Sequence, residues 1–264
     1  MNEIYNIIPL YNGSFTVNFG PNTSHSNSIE NIPSYVFLLI GQDGEKIIVD
    51  TGFASNYIPG LNSSYTREAE LSEQLLSHNI YPEDIKTVIL THLHWDHAGA
   101  IPLFTKADFY LQTAELIALL AVGPYEECSF NPKTWLPLLD QFILVDGHTN
   151  IRPGLNLLYT GNHSRGHQVV EVATAAGTVI LAGDLPFIYD SLWDSFPPKY
   201  WDKYQRIAPD YFWDDQVRTT IQAQLIKKRK INKALTPLSV EEIKKRADIF
   251  LLSHEVHTHK IRQL

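Results

Sequence analysis

At 264 residues and 44% hydrophobic content, the chain can bury one substantial core, and a single domain spanning 1–264 is expected. Its 21 basic and 29 acidic residues give a formal charge of −8, which disfavours nucleic acid and anionic membranes, since both select basic partners. One cysteine, Cys128, excludes an internal disulfide, and no leader or membrane-length apolar run is visible, so a cytoplasmic protein with no membrane partner is expected.

Tyr5 to Val17 mixes β-formers with Asn12-Gly13 and predicts a short opening hairpin, followed by a loop over Pro21 to Asn31. Tyr35 to Gly41 and Lys46 to Asp50 predict two strands joined through Asp43-Gly44, the second ending in Asp50-Thr51-Gly52. Arg67 to Ser77 predicts a helix with Leu71, Leu75 and Leu76 on one side.

The apolar run Thr87 to Leu90 leads directly into Thr91-His92-Leu93-His94-Trp95-Asp96-His97-Ala98-Gly99. Residues two apart share a face of an extended chain, so His92 and His94 can leave a strand end pointing the same way. A turn at Trp95 would fold Asp96 and His97 back toward a second, nearby point. Imidazole and carboxylate together suit zinc, or iron, manganese or cobalt. A solvated histidine-rich loop is the alternative, and composition alone rarely produces this spacing.

Asp108 to Leu111 predicts a strand and Thr113 to Ala121 a helix; Phe142 to Val145 and Leu155 to Thr160 predict further strands. After them comes Thr160-Gly161-Asn162-His163-Ser164-Arg165-Gly166-His167. Asn162 tolerates left-handed backbone angles, so a sharp turn can form there. Gln168 to Thr174 and Thr178 to Ala182 form a hairpin that delivers Gly183-Asp184.

Between Leu185 and Trp213 stand ten aromatics, Phe187, Tyr189 and Trp193 among them, with four prolines. An insertion packing on the core is one reading; an aromatic wall or a homodimer contact beside the site is the other. Helices follow at Asp214 to Lys230 and after the capping box Ser239 to Glu242, then a strand from Asp248 to Leu252 leading to Ser253-His254-Glu255.

The His-x-His-x-Asp-His stretch resembles the motif of the metallo-β-lactamase superfamily. The Asp50-Thr51-Gly52 turn, chain length and Ser253-His254-Glu255 are similar to those of the N-acyl homoserine lactone lactonases within it. The resemblance implies an α/β architecture, an αβ/βα sandwich of two mixed sheets flanked by helices. It implies two divalent ions, one held by His92, His94 and His163 and the other by Asp96, His97 and His254, with Asp184 bridging. It also implies that Asp50 supports the site and that Asp96 and Asp184 take part in catalysis, while His167 reads as a buried brace of its loop.

The activity implied is hydrolysis of a small-molecule lactone ester by a metal-bridging hydroxide. Phe53, Trp95, Phe187, Tyr189 and Trp193 are the candidate substrate contacts. Phe187 stands where many such lactonases carry a tyrosine; either Tyr189, the nearby hydroxyl, substitutes for it or the metals suffice. Other hydrolases of the fold (thioesterases, carboxylesterases, phosphotriesterases) and a metal-binding protein without turnover are the alternatives.

Overall fold

The computed structural model describes residues 3–18, 28–59, 63–123, 126–185, 215–255, 258, 261 and 263–264. Two mixed sheets form its centre. The larger contains β1 (Tyr5–Asn18), β2 (Ser28–Gly41), β3 (Lys46–Val49), β4 (Ser64–Thr66), β5 (Thr87–Ile89), β6 (Asp108–Gln112) and β7 (Phe142–Val145). Its spatial order is β4-β1-β2-β3-β5-β6-β7, with β3, β5, β6 and β7 parallel. The smaller contains β8 (Thr149–Arg152), β9 (Leu155–Tyr159), β10 (Gln168–Thr174), β11 (Gly177–Leu181) and β12 (Ile249–Leu251), in the order β12-β11-β10-β9-β8.

The inner faces meet in one apolar layer: Ile7, Phe37, Leu39, Ile47, Val49 and Ile89 from the larger sheet oppose Leu155, Leu157, Val170, Val172, Val179 and Leu181. Alternation explains the sidedness. Phe37 and Leu39 point inward, whereas Val36 and Leu38 face the outer layer. That outer layer is covered by α1 (Leu71–Ser77), α2 (Thr113–Ala118), the short α3 (Pro132–Trp135) and α4 (Asp215–Lys227). Val217, Ile221 and Leu225 of α4 supply a buried stripe at four-residue spacing. On the other side α5 (Val240–Arg246) buries Ile243 against Val169 and Ile180. Its Ser239 cap is a reciprocal box: Glu242 N–H donates to Ser239 Oγ, and Ser239 N–H to the Glu242 carboxylate at 2.9 Å. Two mixed sheets with helices outside are the sandwich expected.

The opening segment differs from its expectation. Asn12-Gly13 does not turn a hairpin; β1 runs through it and pairs with β2 from Tyr5↔Gly41 to Asn18↔Ser28, with irregularities at Tyr11/Gly13 and Phe15/Val17. The left-handed angle of Gly13 (φ +111°) is spent on a bulge. It lets the Asn12 side chain accept the backbone N–H of Phe53 at 2.9 Å. Apart from Leu185, the aromatic insertion lies outside the described residues, Phe187, Tyr189 and Trp193 included. Among the described residues no helix is long and apolar enough to cross a membrane.

Parallel pairing places strand ends together. The C-terminal ends of β3 and β5 lie side by side, as do those of β11 and β12, and β9 runs in the same sense as β11. Backbone bonds then join the sheets at this edge: Gln168 N–H donates to Thr91 O at 3.0 Å and Tyr35 N–H to Ser253 O at 3.0 Å.

Candidate metal centre

Every sequence-predicted ligand follows a strand end at that edge: His92, His94, Asp96 and His97 after β5, His163 after β9, Asp184 after β11 and His254 after β12. They converge as two groups, His92–His94–His163–Asp184 and Asp96–His97–Asp184–His254, each with its ligand atoms within 4.8 Å of one another. Asp184 belongs to both. Its Oδ2 lies 3.2 Å from His163 Nε2, while Oδ1 lies 3.0 Å from His97 Nε2 and 3.1 Å from His254 Nε2. Asp96 Oδ2 stands 3.3 Å from His254 Nε2.

The local backbone makes this possible. Gly183 has φ +55°, and a Cβ there would sit 2.9 Å from both His167 Nε2 and Thr91 Oγ1, so the chain approaches as only glycine can. The residues present fit a divalent cation in each group. His92 Nε2, His97 Nε2 and Asp184 Oδ1 are buried yet accept or donate no well-aligned hydrogen bond, and buried polar atoms ordinarily have one. His94 Nδ1 and His163 Nε2 are within hydrogen-bonding distance at 3.0 Å, which brings two nitrogens of the first group together.

Electrostatics divide the two groups. Burial, then the neighbouring imidazoles, push His92 and His94 well below the usual histidine value, which keeps both neutral and ready to donate a lone pair. Burial alone would lower His97 and His254 as well. Asp184, assisted by Asp50 and Asp96 at His97 and by Asp96 at His254, outweighs it, holding His97 well above its ordinary value and raising His254 to about 10. Asp184 itself is held well below the carboxylate range: burial opposes ionisation, but His97, His254 and His163 win.

Supporting residues fix the ring orientations. Asp50, in the left-handed region at φ +59°, accepts the Thr91 backbone N–H at 2.7 Å and the His97 Nδ1 proton at 2.7 Å. That leaves His97 Nε2 for a cation. The Thr91 hydroxyl donates to Asp50 Oδ2 at 2.8 Å and lies 3.0 Å from His92 Nδ1, so Asp50 reaches His92 through Thr91. Sequence reasoning missed the groups that orient these rings, Thr91 at His92 and the Pro33 carbonyl, which lies 2.6 Å from His254 Nδ1. Thr91 carries a usable signal, a hydroxyl directly before a ligand; a carbonyl in a distant strand carries none.

In the 161–167 loop the left-handed residue is Gly161 (φ +58°), not Asn162, because glycine adopts that angle without a Cβ penalty. His167 is fully buried, its Nδ1 2.7 Å from Thr160 Oγ1, and burial lowers it to about 3. Trp95 packs edge-on to Phe15 (4.7 Å between centroids), and Phe15 in turn meets the His254 ring. Phe53 is wholly buried behind them under the Arg67 guanidinium, so it backs Trp95 and has no surface of its own to offer a substrate. A small cavity of about 60 Å³ lies beside His94 and His163, lined also by Leu119, Val122 and Phe130. Burial pushes the Cys128 thiol up to about 12, which removes it as a nucleophile.

Comparison with known proteins agrees with this fold. Residues 31–217 match the family model of the metallo-β-lactamase superfamily. An N-acyl homoserine lactonase of Bacillus thuringiensis is 31% identical over 181 residues, which is 63% of this chain and 69% of that protein. The N-acyl homoserine lactonase AiiB of Rhizobium rhizogenes is 32% identical over 117 residues, 40% of this chain and 41% of the relative. Among solved structures, an N-acyl homoserine lactone hydrolase with the product N-hexanoyl-L-homoserine at its catalytic metal centre shares the fold. The TM-score is 0.64 at 22% identity, covering 98% of this chain and 96% of that one.

Proposed function

The chain belongs to the metallo-β-lactamase superfamily, and from that premise we propose that it is a dinuclear metal-dependent hydrolase opening the ester bond of a lactone, with N-acyl homoserine lactones as the substrate class. One observation carries the dinuclear part: Asp184 turns one carboxylate oxygen to each ligand group. His92, His94 and His163 would hold one ion, and Asp96, His97 and His254 the other. Zinc suits this set of imidazoles and carboxylates, and iron, manganese and cobalt are compatible with it. When bound, such a pair supplies Lewis acidity and makes water acidic enough to attack a carbonyl near neutral pH.

The chain's own residues then have three tasks. Asp50 and the Pro33 carbonyl hold the Nδ1 protons of His97 and His254, so both rings keep Nε2 toward the centre. Asp96 and Asp184, each slightly exposed, are the carboxylates able to hold the proton released by water and return it to the departing alkoxide oxygen. Burial of His92, His94 and His97 keeps bulk water from that side of the site, which strengthens each of these interactions. The net change is addition of water across one C–O bond, giving a hydroxy acid.

Trp95, which packs against Phe15 beside His254, is the substrate-facing candidate among the described residues. Cys128, buried and the one cysteine of the sequence, suits a reducing compartment such as the cytoplasm. Assaying the metal-loaded protein against a lactone, a thioester, a carboxylester and a phosphotriester tests the reading; fast turnover of one of the others with none of the lactone would reassign it within the fold.

A further inference from the structure

Glu115 lies outside both ligand groups and is 1% exposed in the first turn of α2. A buried carboxylate is costly unless its oxygens are satisfied. Here all its donors come from the two ligand loops. Oε1 accepts the backbone N–H of Leu93, the residue between His92 and His94, at 3.0 Å. Oε2 accepts the Ser164 hydroxyl at 2.7 Å and the Gly166 N–H at 2.8 Å, on either side of the turn that follows His163. The packing is equally close: a Cβ on Gly166 would stand 2.2 Å from the Glu115 backbone nitrogen.

His94 follows β5 in the larger sheet and His163 follows β9 in the smaller, so nothing in either sheet alone fixes the distance between them. We propose that Glu115 is a positioning residue for the first metal group, its carboxylate clamping the His94 loop to the His163 loop so that Nδ1 of one and Nε2 of the other stand 3.0 Å apart. The second group is held by other means, Asp50 at His97 and Pro33 at His254. Loss of the clamp therefore acts on one group only. Burial raises Glu115, and the three donors draw it back toward the ionised form that can accept all of them.

The inference rests on the metal-centre reading above, and its test separates the two. The full chain is freed of metal and titrated with cobalt(II), followed by visible absorption and calorimetry. His163→Ala and His254→Ala identify which uptake step belongs to which group. Glu115→Gln keeps the size but puts an NH2 against the loop donors. It should weaken the step lost in His163→Ala by about 10- to 100-fold, the usual range for a group that orients a ligand, and leave the other step unchanged. Ser164→Ala removes one of the three bonds at a half-exposed position and should weaken the same step by roughly 5-fold. A general loss of structure would weaken both steps and lower the melting temperature of the metal-free chain in proportion. Equal weakening of both steps, or of neither, overturns the proposal, and if Glu115→Gln does not fold, an unaltered step in Ser164→Ala overturns it alone. A wild-type chain that takes up no cobalt refutes the metal centre itself.

Discussion

His254 Nδ1 and the carbonyl oxygen of Pro33 meet at 2.6 Å across 221 positions of chain, joining the end of β12 to the middle of β2. The carbonyl can only accept, so it fixes the proton on Nδ1 and turns Nε2 to Asp96 and Asp184. The last ligand is thus oriented by β2, near the start of the chain.

Metal content should follow the two groups. Wild-type protein purified without chelator is expected to carry about two divalent ions per chain, by the two-ion logic of the site. His254→Ala should retain about one, because His92, His94 and His163 are untouched by it. Asp184→Asn should weaken both, since it replaces one oxygen of a carboxylate that faces each group. Elemental analysis after reloading measures all three; a wild-type value that stays near one contradicts the two-ion centre.

The pH dependence should be one-sided. In the metal-free chain His97 is held well above the ordinary histidine value of about 6.5 and His254 at about 10. The stability these two contribute is therefore complete below pH ~6.5 and lost as pH rises through their folded values. Metal affinity of their group runs the opposite way, rising over the same window, because a cation must displace both Nε2 protons. His92 and His94 are already neutral, so neither adds to that pH dependence. Calorimetry at pH 8 in two buffers of different ionisation enthalpy should find a release approaching two protons per chain, by that displacement count; no release would contradict the assignment.

His163 and His167 sit on one loop and should fail differently. His163→Ala removes an atom of the first group and should lose metal. His167→Ala should keep both ions but lower stability by about 2–4 kcal/mol, since it removes a fully buried ring and its bond to Thr160. Metal analysis and thermal melts of the two variants distinguish them, and the reverse pattern would exchange their roles.

Much of the site is legible in sequence because it is local. His92, His94, Asp96 and His97 stand within six residues, and the period of an extended chain brings the first two to one face. His163, Asp184 and His254 are isolated letters that acquire meaning only from resemblance to a family. Glu115 and Pro33 are illegible for a different reason: one acts through backbone N–H groups of two other loops, the other through its own carbonyl. In the fold, Asn12-Gly13 misleads because a bulge and a hairpin turn demand the same left-handed angle. β4 and β8 pass unnoticed because they are short edge strands with no fully buried residue to set an apolar pattern.

Metal-dependent lactone hydrolysis is measured directly by pH-stat titration of the acid released on ring opening. The protein is stripped of metal, then reloaded with zinc, manganese or cobalt, and presented with N-acyl homoserine lactones of several chain lengths. The prediction is acid release that is absent from the stripped chain, returns as the second equivalent binds, and is abolished in Asp184→Asn. Acid release that persists in the stripped chain, or none with any metal at any chain length, would contradict it.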